Sequence, residues 1–421
     1  MILAKGSVLQ DTELTRILGE LGEDIIALRS LPPLAPHVVI DACARLLSRL
    51  DRGELDELIY RYATPQTLKA LEQYRGLLRT ENLEYKLTIE TGGLLSARSR
   101  PFGCAAAVPL GTLLHITAGN MDGLPAFSVV EGLLTGNINL LKLPSGDSGL
   151  SLALLKLLAD EEPRLAPYFY VFSIPSSDKR SLQALADLAD GIVTWGGDEA
   201  IQAMRSMAPA GCKFMEWGHR LSFAYCAGSP ENQELEALAG HIIAAGGLLC
   251  SSCQVIYLDT ASLDAAYAFC RRFLPILERA ASIEHQTPGQ AAQATLHGYE
   301  HFLELTVAES TAQVLRGRGC SVTLCPDQAL ELSPLHGNVL VKCLPRQELV
   351  RALFPQRGRL QTAGLLCPLE EREELSALLA RAGVTRVTTA GHMSEPFLGE
   401  SHDGEYPLRR YLRVVDREAV L

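Results

Sequence analysis

The sequence lacks a basic surplus: 38 lysines and arginines face 49 aspartates and glutamates, a net charge of −11. Nucleic-acid binders carry a basic stripe or excess, so no nucleic-acid partner is expected. Long apolar runs are missing as well. None approaches the 18 or more residues of a membrane span, and even the stretch at 242–250 is short, so no span is expected. Lys5 and Gly6 interrupt the start too early for the apolar region of a signal peptide. The ten histidines form no H-E-x-x-H or H-x-H cluster, which leaves metal catalysis without support. G-x-S-x-G is absent, which argues against a serine hydrolase. G-x-G-x-x-G and the P-loop pattern are absent too, so the common dinucleotide and Walker signatures do not apply.

What is present describes a globular chain. Its 421 residues allow two or three domains, and 47% apolar with 21% charged residues is ordinary usage for a folded core. The eleven cysteines are odd in number and irregularly spaced. Without an export signal, they are expected to be reduced thiols in a cytoplasm, most of them buried.

Residues 1 to about 90 read as leucine-rich and mostly helical, with helix-spaced apolar residues over Asp41–Leu50 and Thr64–Leu77. From about residue 100 the pattern changes. Cys104–Thr117 is apolar and extended, and Gly123–Leu134 has helical spacing ended by Gly136 and Asn137. Strand and helix then alternate: strand Ile138–Leu143, a helix to about Asp160, strand Tyr168–Ile174, helix Ser177–Leu188, strand Gly191–Trp195 and helix Asp198–Met207. That order predicts an α/β fold with a parallel sheet. A second α/β stretch follows, with strands Leu221–Cys226, Gln254–Leu258, Asn338–Cys343, Leu360–Leu366 and Thr385–Thr389 and helices between them. A domain boundary is expected near Trp217–His219.

Trp195-Gly196-Gly197-Asp198 runs from a strand through two glycines into a helix. Its backbone N–H groups and helix N-terminus could receive a pyrophosphate, although ordinary strand-to-helix turns look the same. Lys142 ends an apolar strand, where α/β sheets bind ligands, but solvated lysines are common there. Cys250-Ser251-Ser252-Cys253 is more pointed. A zinc site would need a second cysteine pair, and a thioredoxin-like pair opens a helix, whereas a strand follows here. A single nucleophilic thiolate on a loop and a pair of buried structural cysteines both remain open. Glu216 closes the strand Lys213–Glu216 and is either a buried acid with basic character or a plain exposed one.

The ordered segments Ile116–Asn120, Asn137–Ser145, Trp195–Glu199, Met215–Gly218 and Cys250 resemble the aldehyde dehydrogenase superfamily. Within it, Cys250-Ser251-Ser252-x-Gln254 and the tail His402-Asp403-Gly404-x-x-Pro407-Leu408 through Asp416 are similar to the fatty-acyl reductase family of bacterial bioluminescence. The resemblance covers about residue 100 to the C-terminus. It implies an aldehyde-dehydrogenase-like fold: helices and a Rossmann-like cofactor domain over 1–216, an α/β catalytic domain over 217–392, and a segment over 393–421 returning to the cofactor domain.

It also implies roles. Cys250 would be the nucleophile, and Asn120 with the Cys250 N–H the oxyanion hole. Thr117, Lys142, Ser145, Trp195, Gly196 and Gly197 would bind the cofactor. Ser145 stands where relatives that prefer NADH often carry a ribose-binding glutamate, so NADPH is favoured, with NADH the alternative. Glu216 is the general base of oxidising relatives; in a reductase it would deliver a proton or only position. A nicotinamide-ribose glutamate common in the superfamily is missing, Pro334–His336 standing there instead. Cys253 stands where relatives often have proline, and whether it pairs with Cys250 is open.

The expected activity is NADPH-dependent reduction of a medium- to long-chain acyl-CoA or acyl-carrier thioester to the aldehyde through a Cys250 acyl-enzyme. The rivals are aldehyde oxidation, acyl-phosphate reduction, and an acyltransferase or thioesterase without hydride transfer. An acyl-activating or acyltransferase partner and a homo-oligomer are implied by resemblance alone.

Overall fold

A computed structural model of the chain describes residues 1–62, 75–93, 95, 98–100, 103–117, 123–283 and 288–418. Seventeen strands are defined among them: β1 Ile2–Ala4, β2 Ser7–Leu9, β3 Arg98–Arg100, β4 Gly103–Pro109, β5 Thr112–Ile116, β6 Ile138–Lys142, β7 Phe169–Phe172, β8 Gly191–Trp195, β9 Lys213–Trp217, β10 Leu221–Cys226, β11 Cys253–Leu258, β12 Gln313–Gly317, β13 Cys320–Cys325, β14 Asn338–Cys343, β15 Leu360–Leu366, β16 Arg386–Thr389 and β17 Leu412–Glu418. The chain divides into two compact units, Met1–Gly218 with Phe397–Leu421, and His219–Pro396.

The first unit is built on a sheet of order β2-β1-β7-β6-β5-β8-β9. Strands β5 to β9 are parallel, and β1 joins antiparallel to β7. Every residue of β5 and β6 is buried, as expected of short apolar strands covered by helices. Helix residues Ile17, Leu21, Val39, Leu46, Val129, Leu133 and Leu155 share one core with sheet residues Leu114, Leu140, Val171 and Ile192. Within this apolar setting His115 hydrogen-bonds Ser128 Oγ at 2.7 Å and Asn139 Oδ1 at 3.0 Å. Burial pulls its pKa down to about 4, so the ring is neutral at pH 7.

The sheet grows outward from β5 in both directions, to β6 and β7 on one side and to β8 and β9 on the other. Such a reversal leaves a crevice at the carboxyl ends of β5 and β8, the usual ligand position in open α/β sheets. The C-terminal segment belongs to this unit. Strand β17 pairs antiparallel with β4, from Leu412 opposite Pro109 to Glu418 opposite Gly103. Asn137 Nδ2 donates to the Tyr411 carbonyl at 3.0 Å, and buried Glu90 accepts the Leu408 N–H at 2.8 Å.

The second unit holds a sheet of order β12-β13-β14-β11-β10-β15-β16, parallel except for β12. Alternate residues of its central strands feed two cores. Ala224, Ile256 and Val339 pack with Phe273 and Leu277, while Phe223, Tyr225, Val255 and Tyr257 pack with Leu353 and Leu375. Period-two alternation in strands covered on both faces produces this partition.

Two elements depart from the sequence expectation. The mostly helical N-terminal region begins with the β1–β2 hairpin, turned by Lys5 and Gly6 at φ 50° and 75°. The stretch expected to be helical before β14 contains the β12–β13 hairpin around Arg318-Gly319. Of the expected helix Thr64–Leu77, residues 64–74 lie outside the described residues. No helix among the described residues is long and apolar enough to cross a membrane.

Candidate functional site

In the first unit the register aligns Ile116 with Lys142 and with Thr194, and Thr194 with Glu216. Lys142, Thr194 and Glu216 therefore stand in one row, and Thr117 and Trp195 one residue further toward the carboxyl edge of the sheet. Thr117 is buried, and its Oγ1 has no hydrogen-bond partner among the described residues. The same holds for Thr194 Oγ1 and for the indole Nε1 of Trp195. Buried donors and acceptors are nearly always paired, so Thr117 and Trp195, on adjoining strands, leave hydrogen-bonding capacity at this edge. Asn120 lies outside the described residues.

Lys142 is 4% exposed, and its Nζ donates to Ser176 Oγ at 3.1 Å. Among the described residues no carboxylate pairs with it. Burial, followed by repulsion from Lys179, lowers its pKa. A partly desolvated ammonium of this kind favours a ligand rich in hydroxyl or anionic oxygen. Ser145 is exposed in the turn after β6.

After β8 the Gly196 N–H donates to the Trp217 carbonyl at 3.2 Å, and Gly197 precedes the helix Asp198–Met207. A Cβ placed on Gly197 would meet no atom within 4 Å, and its φ of −71° suits any residue. Neither packing nor conformation requires glycine there. Open space before a helix N-terminus suits close approach of a phosphate. The rings of Trp195 and Trp217 lie 5.6 Å apart, and His402 seats on both at 5.0 and 4.8 Å. This contact gives the His402-Asp403 tail motif a physical role, fixing the C-terminal segment beside the glycine turn. Glu216 takes the exposed alternative: its side chain is 43% exposed and ion-paired with Arg205. Orphan polar atoms, an uncompensated lysine and an open glycine turn fit a dinucleotide.

In the second unit Cys250 lies on the loop between helix Asn232–Ala245 and β11. Of eleven cysteines it alone is exposed, and none forms a disulfide. Cys253, three residues on, is fully buried at the start of β11, and burial pushes its pKa up to about 12. The C-x-x-C spelling therefore holds one accessible thiol and one sequestered one, an arrangement unsuited to a redox pair.

Four buried side chains fasten the loop. Ser222 Oγ donates to the Cys250 carbonyl at 2.7 Å. Gln254 Nε2 donates to the Gly247 carbonyl at 3.0 Å, and Ser252 Oγ accepts the Leu249 N–H at 2.9 Å. His241 Nε2 accepts the Cys253 N–H at 3.3 Å, and burial lowers the His241 pKa to about 4. The bend is made by Gly246 and Gly247 at φ 59° and 78°. At Gly247 the φ of 78° favours glycine, and a Cβ would crowd the Leu335 side chain at 2.8 Å. The Pro334–His336 segment packs here, with the His336 N–H donating to the Gly246 carbonyl at 2.8 Å.

The fold is that of aldehyde dehydrogenases. Methylmalonate-semialdehyde dehydrogenase from Oceanimonas doudoroffii superposes with a TM-score of 0.73 over 99% of this chain and 98% of that one, at 14% identity. Lactaldehyde dehydrogenase from Escherichia coli gives 0.69 over 98% and 92%, at 13% identity. Residues 39–414 match the family described as Acyl-CoA reductase (LuxC), and the chain belongs to that family. Among its relatives, a long-chain acyl-protein thioester reductase from Aliivibrio fischeri is 24% identical over 322 residues. One from Photorhabdus laumondii is 25% identical over 327 residues. Each match covers 74% of this chain and 65% of the relative, just under two thirds of its length.

Proposed function

We propose that the protein reduces an acyl thioester to the aldehyde through an acyl-enzyme on Cys250. One observation carries this reading: the one exposed cysteine, on a loop fastened by buried side chains, in a chain of the acyl-CoA reductase family. The Cys250 thiolate attacks the thioester carbonyl, the carrier thiolate leaves, and the acyl group stays on sulfur. The Cys250 N–H and Asn120 are assigned to the developing oxyanion. A reduced nicotinamide dinucleotide, when bound, supplies the hydride. Hydride addition to the acyl carbon would leave a thiohemiacetal oxyanion on Cys250, which collapses to aldehyde and Cys250 thiolate with no net proton transfer.

At the carboxyl edge of the first unit Lys142 holds ribose oxygens, and the Gly196-Gly197 turn with the following helix N-terminus takes the pyrophosphate. Thr117 and Trp195 offer polar atoms that have no partner among the described residues. The exposed Ser145 places no negative charge against a 2′-phosphate, which favours NADPH over NADH. Glu216 is engaged by Arg205, so it is assigned no water activation; a reductase whose acyl-enzyme must escape hydrolysis needs none. The substrate assigned is a medium- to long-chain acyl group on CoA or a carrier protein, in line with the relatives' names. Delivery by an acyl-activating or acyltransferase partner, a homo-oligomeric state and a cytoplasmic setting belong to the same reading.

The test is NADPH oxidation with acyl-CoAs from short to long chain, on wild type and Cys250→Ala side by side. Thioester-dependent oxidation is expected in wild type and a loss of at least ~10³-fold in the variant. Release of free CoA without cofactor consumption would instead establish an acyltransferase or thioesterase.

A further inference from the structure

Two bulges meet at one level of the second unit's sheet. On one side of β10, Ser222 pairs with Cys253 and Phe223 with Val255, which leaves Gln254 without an opposite residue. On the other, Leu221 pairs with Leu360 and Phe223 with Ala363, so Gln361 and Thr362 share Ser222. Bulges break the ladder locally and re-aim side chains. Here they free two polar side chains beneath the Cys250 loop. Ser222, wholly buried, accepts the Thr362 N–H at 3.0 Å and donates to the carbonyl of Cys250 itself. Gln254, 2% exposed, accepts both the N–H and the Oγ–H of Ser333, at 3.0 and 2.8 Å. That fixes its amide so that Nε2 faces the Gly247 carbonyl.

We propose that Ser222 and Gln254 are positioning residues, a two-point clamp that holds the backbone of the Cys250 loop from the Gly247 bend to the nucleophile's own carbonyl. The inference rests on Cys250 being the acylated residue. Neither side chain need touch substrate. Their part is to keep the sulfur and the neighbouring N–H in one arrangement, because small misplacement of a reacting group costs large factors in rate. Burial supports the assignment: a loop carbonyl tied to a wholly buried hydroxyl cannot swing without leaving that hydroxyl's O–H donor unsatisfied.

The test uses the full chain with Ser222→Ala and Gln254→Glu. The latter keeps an acceptor for Ser333 and turns the donor to Gly247 into a carboxylate oxygen facing that carbonyl, at the cost of a buried charge. Hydrogen exchange of the amides at 248–252 is measured together with single-turnover acylation by a long-chain acyl-CoA without dinucleotide. Loop exchange is expected to rise and the acylation rate constant to fall, each by ~10-fold or more, with the half-saturating acyl-CoA concentration within ~2-fold of wild type. The thermal midpoint of Gln254→Glu is expected to fall with the buried carboxylate, so exchange and acylation of both variants are read well below their midpoints. If loop exchange or acylation in Gln254→Glu matches wild type, the clamp is overturned while Cys250 keeps its role. If Cys250→Ala still acylates, the catalytic reading falls and the positioning role with it.

Discussion

At the carboxyl edge of the first unit's sheet, Thr117 and Trp195 bury polar atoms that meet no partner among the described residues, and Lys142 buries a charge against one hydroxyl. At the Cys250 loop, Ser222, Gln254 and Ser252 commit theirs to backbone groups. One place leaves its groups for something that comes and goes; the other fixes a reacting atom. A nucleophile gains from rigidity, whereas a dissociable ligand needs hydrogen-bonding capacity kept in reserve.

The comparison can be broken first at Lys142. Lys142→Met should weaken dinucleotide binding by ~10- to 100-fold, the usual worth of a hydrogen bond from a charged donor. It should leave acylation of Cys250 unchanged, as titration of cofactor fluorescence beside single-turnover acylation would reveal.

Acid should then strike both units alike. His115 and His241 have folded pKa values of about 4 against an unfolded value near 6.5. Between those limits the unfolded chain binds more protons, so stability present above pH 6.5 is lost as pH falls. Each histidine accounts for about 2 kcal/mol by pH 5. Urea unfolding at pH 7 and pH 5 should show the drop, and His241→Gln should flatten part of it.

A smaller effect is expected at Ser145. Ser145→Glu should lower the NADPH-to-NADH ratio of kcat/KM by ~10-fold or more, because a carboxylate would oppose a 2′-phosphate. Least of all, Cys253→Ala should leave turnover within ~2-fold and cost about 1 kcal/mol of stability, read by thermal unfolding with activity at saturation. A large loss of turnover there would erase the contrast between the accessible and the sequestered thiol.

Strands Gly191–Trp195 and Leu221–Cys226 and helix Asp198–Met207 are legible residue for residue, because turn glycines and uninterrupted apolar runs bound them. The β1–β2 hairpin is not, since three-residue strands beside leucine-rich helices carry too little pattern. Cys250 stands out through its motif, yet its exposure against the burial of Cys253 depends on where β11 begins. Ser222 and Gln254 lie in strands whose alternation conceals a register shift, and no local signal announces a bulge between distant strands. The seat of His402 on Trp195 and Trp217 joins residues about 200 apart in sequence, beyond the reach of any local pattern.

The most direct measurement is the intact mass of the protein after mixing with a long-chain acyl-CoA in the absence of dinucleotide, followed by peptide mapping and a chase with NADPH. One acyl adduct on the peptide carrying Cys250, discharged as aldehyde in the chase, is the predicted result. No adduct, an adduct on another residue, or discharge only as free acid would contradict the account.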